Sequence, residues 1–329
     1  MLKTIGFWFD NARYTALAQS FFPALLSIAM AYNNPNFSFS LSIIALIGVV
    51  FAHLGLNMAD DYFDYKNGDV NRREKAVEGM RIRIAKCDYL INKQATTKQL
   101  LIAIIIFLSL ALISALIIIY HRGYSILWLI LTTAILGLGY SFPKIRLSYR
   151  GFGELVIGII FGPLLMVGMF FASCGEYSLP LFLVSLAIGL LVINIVYSHS
   201  VMDMPCDTSI GKKTLAHLLK SNKNRLIATR AFSFIPFFII ILGIILGYFS
   251  WKYIFVLISL PIAIKLYLSL RDFALDIPFN EKPKWYLLTM ERWEEIQKAG
   301  ISWFMFRWYL SRNLVTLFCL ILIIINIIP

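Results

Sequence analysis

Apolar runs recur along the whole chain, separated by short polar and basic stretches, and each approaches the ~20 residues that a helix needs to cross a bilayer. The pattern predicts nine spans, at about 15–32, 39–58, 99–120, 125–142, 154–173, 180–202, 228–248, 252–270 and 304–327. The expected fold is therefore all-α, a polytopic membrane bundle of about nine transmembrane helices forming a single domain over residues 1–329. Composition agrees: 59% of residues are hydrophobic and 15% charged, with a mean hydropathy of +0.76, far more apolar than a soluble domain. Lys3, Asp10 and Arg13 precede the first apolar run and no clear small-residue cleavage site follows it, so the first helix is expected to stay in the protein.

The net charge of +12 raises the question of a nucleic acid partner, but the basic residues are scattered between spans. The N-terminal segment and the loops after helices 2, 4, 6 and 8 hold 24 Lys and Arg residues, against 2 on the alternate side, Arg122 and, at the edge of the eighth span, Lys252. The positive-inside rule accounts for that asymmetry without nucleic acid. It predicts a multi-pass protein of the cell (inner) membrane with a cytoplasmic N-terminus and, the helix count being odd, a C-terminus outside. Arg230, Lys265, Arg307 and Arg312 remain within or near spans, where snorkelling to the headgroups is the simplest expectation. The aromatic and basic mixture from Trp303 to Tyr309 suggests that the ninth helix begins as a surface segment. Cys87 and Cys206 are placed in cytoplasmic loops, Cys174 on the opposite side and Cys319 inside a helix, so no disulfide framework follows.

The chemistry concentrates where the second helix leaves the membrane, at Asn57-Met58-Ala59-Asp60-Asp61-Tyr62-Phe63-Asp64. If the helix continues, spacings of three and four bring Asn57, Asp60, Asp61 and Asp64 toward one face. Carboxylates so close repel one another unless a cation joins them, and the C-terminal end of a helix dipole is a poor place for a merely structural acidic cap. Hard oxygen donors of this kind suit Mg²⁺ shared with substrate phosphates. A second pair, Asp203 and Asp207, follows the sixth helix, four spans later, with Pro205 between them and Gly211, Lys212, Lys213 and Thr214 beyond. Two such clusters facing each other could hold Mg²⁺ on either side of a diphosphate, with Lys66, Arg72, Arg73, Lys212 and Lys213 as candidate partners of its oxygens.

These motifs resemble those of the UbiA superfamily of intramembrane prenyltransferases, whose two Asp-rich motifs follow the second and sixth of nine helices. Asn57, Asp61 and Asp64 match the first motif, with Asp60 where an Asn is usual, and Asp203 and Asp207 followed by a Gly-Lys-Lys-Thr-Leu run match the second. Tyr149-Arg150-Gly151-Phe152-Gly153-Glu154 with Phe161-Gly162-Pro163, and Ala12-Arg13 before Thr15 and Pro23, are similar to the branch that prenylates 1,4-dihydroxy-2-naphthoate for menaquinone. The resemblance implies Mg²⁺-dependent transfer of a prenyl group from a polyprenyl diphosphate to an aromatic acceptor, with Asn57, Asp61, Asp64, Asp203 and Asp207 catalytic and the four Asp residues holding metal. It also implies loss of the acceptor's carboxyl at the carbon that is prenylated. The basic and glycine-bearing stretch 72–83, the residues Ser200, Val201 and Met202, and a long insertion at 271–302 depart from the family pattern, and leave other acceptors open.

The substrate-binding candidates are Arg13, Asp60, Lys66, Arg72, Lys144, Arg150, His199 and Lys212. For Lys144, Arg146 and Arg150 the competing explanation is topology alone. His199, four residues before Asp203, is either a base or orienting group beside the acceptor or a structural histidine at a helix end. Asn194 and Ser198 should face the bundle interior, and Tyr140, Phe142 and Tyr197 lie near the helix ends where a ring face can stabilise an allylic cation. Two rival readings remain at this stage: a membrane terpene cyclase, and a cation-coupled transporter with acids near its binding site.

Overall fold

The computed structural model describes residues 2–76 and 87–328, with side chains over 6–73 and 87–328; the 77–83 part of the divergent stretch lies outside the described residues. Among them, nine helices are long and apolar enough to cross a membrane: α1 (Tyr14–Ala31), α2 (Phe39–Lys66), α3 (Thr97–Arg122), α4 (Tyr124–Ser141), α5 (Gly153–Cys174), α6 (Leu179–Met202), α7 (Asn222–Ile245), α8 (Trp251–Ala274) and α9 (Ser302–Ile327). Local signals set several of their ends. The Ser38, Ser178 and Ser221 hydroxyls accept the N–H groups of Leu41, Leu181 and Asn224, and Thr96 and Gln99 form a reciprocal capping box. Gly175, at a φ of 78°, closes α5 in the left-handed conformation that a side chain would resist.

Each predicted span falls on one of these helices, and the differences at the ends have a physical cause. Hydropathy marks where lipid stops, whereas the helix stops where its backbone runs out of partners. Helix α2 has 28 residues, ~42 Å at 1.5 Å per residue, well beyond a ~30 Å hydrocarbon layer. Its last two turns, which carry the first acidic motif, therefore project past the predicted end at residue 58. Helix α7 likewise begins at its Ser221 cap, six residues before its expected start.

Arg307 corrects the expectation of a surface segment. It is 2% exposed; its Nε donates to the Ser269 carbonyl at 2.9 Å, its Nη1 donates to that of Trp303 at 2.5 Å, and its guanidinium lies 5.1 and 5.4 Å from the ring centres of Phe273 and Phe279. The insertion causes this burial by folding over α9. Asn313 Nδ2 donates to the Leu287 carbonyl at 2.8 Å, and the Tyr309 hydroxyl donates to that of Glu291 at 2.8 Å. Lys265 pairs with Glu281 of the same insertion, whereas Arg230 is exposed and donates to the Tyr267 hydroxyl as a snorkelling residue does.

Helices α5 and α6 are the most enclosed, while α3 turns Ile102, Ile105, Ile106, Leu112 and Ile113 outward, toward where lipid would lie. Asn194 and Ser198 do face inward: Asn194 Nδ2 donates to Ser233 Oγ at 2.9 Å, and Ser198 Oγ donates to the Asn194 carbonyl at 2.7 Å. All four cysteines are buried and none forms a disulfide. The α5–α6 crossing depends on glycine. A Cβ on Gly162 would sit 2.6 Å from the Gly189 Cα and 2.7 Å from the Ser185 carbonyl oxygen, and one on Gly158 would sit 2.9 Å from the Gly189 carbonyl oxygen. Small residues four apart let two backbones touch, which is how helices associate where no hydrophobic effect drives them together. Gly162→Val is therefore expected to lower the melting temperature of the detergent-solubilised protein by roughly 4 °C or more. Gly168→Ala, whose new Cβ meets only Leu129 at 4.0 Å, should leave it nearly unchanged; equal melting temperatures for both variants would contradict the crossing.

Candidate active site between two acidic helix ends

A cavity of about 930 Å³ opens among α1 to α6 and α9, and both acidic motifs line it. On α2 the polar side chains that line it are His53, Asn57, Asp60, Asp61 and Asp64, a spacing that keeps them on one helical face. The segment before α1 lies across this face. Arg13, held at a φ of 61°, donates from Nη2 to the Asn57 carbonyl at 2.9 Å and to Asp60 Oδ2 at 3.1 Å, and stands 3.3 Å from Asp61 Oδ1. Asn57 Nδ2 returns a bond to the Ala12 carbonyl at 3.1 Å. A left-handed arginine is strained, and these contacts over-determine it. Burial works against its charge, but Asp61 and then Asp60 outweigh burial and hold the guanidinium pKa above its ordinary value. Asp60 also accepts the Ser141 hydroxyl, and Asp61 Oδ2 accepts that of Tyr89 at 3.3 Å. Burial, with Asp61 beside it, pushes the Tyr89 phenol up.

The second motif is built by a broken helix. Helix α6 ends at Met202 and Pro205 falls in the first turn of the short helix Met204–Ser209, so Asp203 sits at the junction and Asp207 inside the new helix. Gly211, at a φ of 74°, turns the chain so that Lys212 reaches back to Asp207, 3.6 Å from Nζ to Oδ1. The short helix Asp69–Ala76 packs on Met204–Ser209, and its Arg73 spans both acids: Nη2 to Asp203 Oδ2 is 3.3 Å and Nη1 to Asp207 Oδ1 is 3.7 Å. One guanidinium thus ties the chain following the first motif to the second. Burial raises the Asp207 carboxyl pKa and Asp203 adds to the rise, against opposing pulls from Lys212 and Arg73.

Of the other predicted residues, His199 lines the cavity with its ring centre 5.2 Å from that of Phe304, and Lys212 lines it as well. Lys66, Arg72, Lys144 and Arg150 do not. Lys66 is five residues past Asp61 and so ~140° round the helix, where it is exposed over Tyr62. Arg72 pairs with the buried Asp69, while Arg150 Nη2 donates to the Lys144 carbonyl at 3.2 Å on an exposed loop. Of the three aromatics only Tyr140 lines the cavity. Phe142 packs on Phe63 with ring centres 5.5 Å apart, and the Tyr197 hydroxyl donates to the Arg225 carbonyl at 3.0 Å.

Several residues went unassigned in the sequence. Asp69, 2% exposed and also lining the cavity, joins Arg72 to Arg146, the latter at 2.6 Å. Its place in the first acidic segment was the one available signal. Glu154 is 1% exposed; its Oε1 accepts the Ser200 hydroxyl at 2.5 Å and the Leu215 N–H at 3.1 Å, fastening the last turn of α6 to the chain beyond Lys212. Tyr89 and His53 gave no signal, since a lone Tyr or His is usually structural.

The oxygens present fit a hard cation shared with a ligand. Among the described residues, no three His, Cys, Asp or Glu side chains group into a self-sufficient metal site. Asp207 Oδ1 is buried and makes no hydrogen bond among them. Mg²⁺ characteristically takes one or two carboxylates and completes its shell with water and substrate phosphates.

Acids and bases thus ring one end of a cavity whose deeper wall is apolar. The chain belongs to the UbiA prenyltransferase family, whose family model matches residues 20–290, and this sets the transporter reading aside. It is 26% identical over 249 residues to the 1,4-dihydroxy-2-naphthoate octaprenyltransferase of Bacillus subtilis, covering 74% of this chain and 76% of that one. It is also 26% identical over 231 residues to the 2-carboxy-1,4-naphthoquinone phytyltransferase of Synechocystis, covering 69% and 68%. In fold it is similar to a UbiA homolog from Archaeoglobus fulgidus bound to DMAPP and Mg²⁺, with a TM-score of 0.54, 15% identity, and 94% of this chain and 98% of that one covered.

Removing the Glu154 carboxylate strands the Leu215 N–H, at ~1–3 kcal/mol, and leaves the Ser200 hydroxyl only the Val196 carbonyl within its own helix. Glu154→Leu should therefore speed amide hydrogen exchange over residues 211–218 while α3 stays protected. Unchanged exchange there would contradict the fastening role.

Proposed function

We propose that this protein transfers the prenyl group of a polyprenyl diphosphate to an aromatic acceptor, 1,4-dihydroxy-2-naphthoate, in menaquinone biosynthesis. The observation that carries this reading is the meeting of both acidic motifs and their bases around one cavity whose deeper lining, including Leu108, Leu112, Ile130 and Leu164, is apolar. The naphthoate acceptor is supported by the names of the relatives.

In this reading Asp61, Asp64, Asp203 and Asp207 hold Mg²⁺, which when bound neutralises charge on the departing diphosphate. Arg13, Arg73 and Lys212, which pair with these acids, stand beside them as partners for the phosphate oxygens. Asn57 fixes the segment that carries Arg13, and Asp60, anchored by Ser141, restrains Arg13 from the other side. Tyr140 offers a ring face to the allylic carbon, worth ~0.5–2 kcal/mol for a developing cation. As the C–O bond to the diphosphate breaks, a ring carbon of the acceptor forms the new C–C bond, and the acceptor's carboxyl leaves that carbon as CO₂. The excess of Lys and Arg in the loops on one side of the bundle supports a site on the cytoplasmic face of the inner membrane, with the C-terminus outside.

Asp61→Asn and Asp203→Asn should each lower turnover by ~10²–10³-fold while leaving the folded protein extractable, and EDTA should abolish turnover reversibly. Full activity in EDTA removes the metal from the account. Arg73→Gln should weaken prenyl diphosphate binding by ~10-fold or more, whereas Arg72→Gln, outside the cavity, should change it less than ~3-fold; the opposite order would contradict the cavity as the binding site. A reporter after Pro329 should be active outside the cytoplasm only, and cytoplasmic activity there would contradict the orientation.

A further inference from the structure

One polar group in the cavity has no part in holding the diphosphate. His53 lies on the motif-bearing face of α2, one turn before Asn57 and ~12 Å along the axis from Asp61. It is 4% exposed and lines the cavity. Its two nitrogens are in different situations. Nδ1 is 2.7 Å from Ser20 Oγ, and that hydroxyl donates its proton to the Leu17 carbonyl at 3.1 Å. With its single hydrogen so engaged, Ser20 receives the Nδ1–H. Nε2 is then the unprotonated nitrogen, a lone pair that makes no hydrogen bond among the described residues. The Phe161 ring, centred 4.6 Å from the imidazole, steadies it from another side.

A buried acceptor fixed in tautomer and orientation calls for a donor. The prenyl tail has none, a diphosphate presents mainly acceptors, and no set of His, Cys, Asp or Glu side chains in the described residues groups there to share a metal. What fits is an O–H on an otherwise apolar ring. Building on the prenyl-transfer reading, we propose that His53 Nε2 accepts a hydroxyl of the aromatic acceptor, with Ser20 as its positioning residue, so that the cavity selects dihydroxylated rings. As the ring carbon bonds to the prenyl carbon and the diphosphate leaves with the C–O electron pair, the hydroxyl proton passes to Nε2 and the ring oxygen becomes a carbonyl. Loss of CO₂ from the prenylated carbon returns an electron pair to the ring, and the oxygen takes its proton back from His53.

The test uses full-length protein in nanodiscs, a prenyl diphosphate, and as acceptors 1,4-dihydroxy-2-naphthoate and its two monomethyl ethers. The wild type should prefer the free diol over one of the ethers by ~10²-fold or more. His53→Ala and the near-isosteric His53→Phe should lower kcat/KM for the diol by ~10²-fold and shrink the preference to within ~3-fold. His53→Gln, which restores an acceptor atom, should recover part of it, and Ser20→Ala should lower kcat several-fold. Binding of a prenyl thiolodiphosphate with Mg²⁺ should be unchanged in all four variants. A folded Ala or Phe variant that keeps the wild-type rate and preference overturns the role of His53 while leaving prenyl transfer intact. A wild type that binds no prenyl diphosphate overturns both.

Discussion

Carboxylates gathered around a largely apolar cavity are unfavourable unless opposite charge offsets their desolvation and mutual repulsion, and the arrangement of the charged end of this bundle follows from that constraint. Asp60, Asp61, Asp64, Asp203 and Asp207 all line one cavity, and cations pair with acids of both motifs. Arg13 is drawn into a left-handed conformation to reach the first motif. Arg73 and Lys212 converge on the second. Because Arg73 belongs to the helix following the first motif, neutralising the second motif also fixes the distance between the two. A Mg²⁺-bound diphosphate would enter a site whose charges are already arranged around it, which lowers the reorganisation the reaction requires.

The rest of the bundle supplies the rigidity that this arrangement needs. Gly158, Gly162 and Gly189 let α5 and α6 touch backbone to backbone, and Glu154 then locks the end of α6 to the loop that carries Lys212. The insertion over α9 encloses Arg307 and leaves Arg312, at the cavity edge, 5.3 Å from the Trp308 ring. Below the charged end, side chains of α2 to α5 give the cavity an apolar depth interrupted by the oriented imidazole of His53.

What could be read from the sequence divides along a physical line. The nine spans were legible because hydrophobic length is a property of contiguous residues, and both acidic motifs were legible because their spacing is local. Residues that act through tertiary contact were not. Arg72 and Arg73 are neighbours in the chain, yet one pairs with Asp69 from outside the cavity and the other reaches Asp203 and Asp207 within it, which no spacing rule separates. Lys66 follows the first motif closely but falls on the far side of the helix. Arg307 sits in a sequence that reads as interfacial and is buried only because a distant insertion folds over it. His53 takes its meaning from Ser20, on another helix, and from Phe161, on a third.

The central claim is that the two motifs act as one site on a single diphosphate. Calorimetric titration of a prenyl thiolodiphosphate in Mg²⁺ tests it most directly, on the wild type, Asp64→Asn, Asp203→Asn and the double variant. If the motifs grip one ligand together, each single change weakens binding ~10²-fold or more and the double variant binds little worse than either, a coupling that independent sites do not show. Losses that simply add, or a single variant that binds as tightly as the wild type, would contradict it.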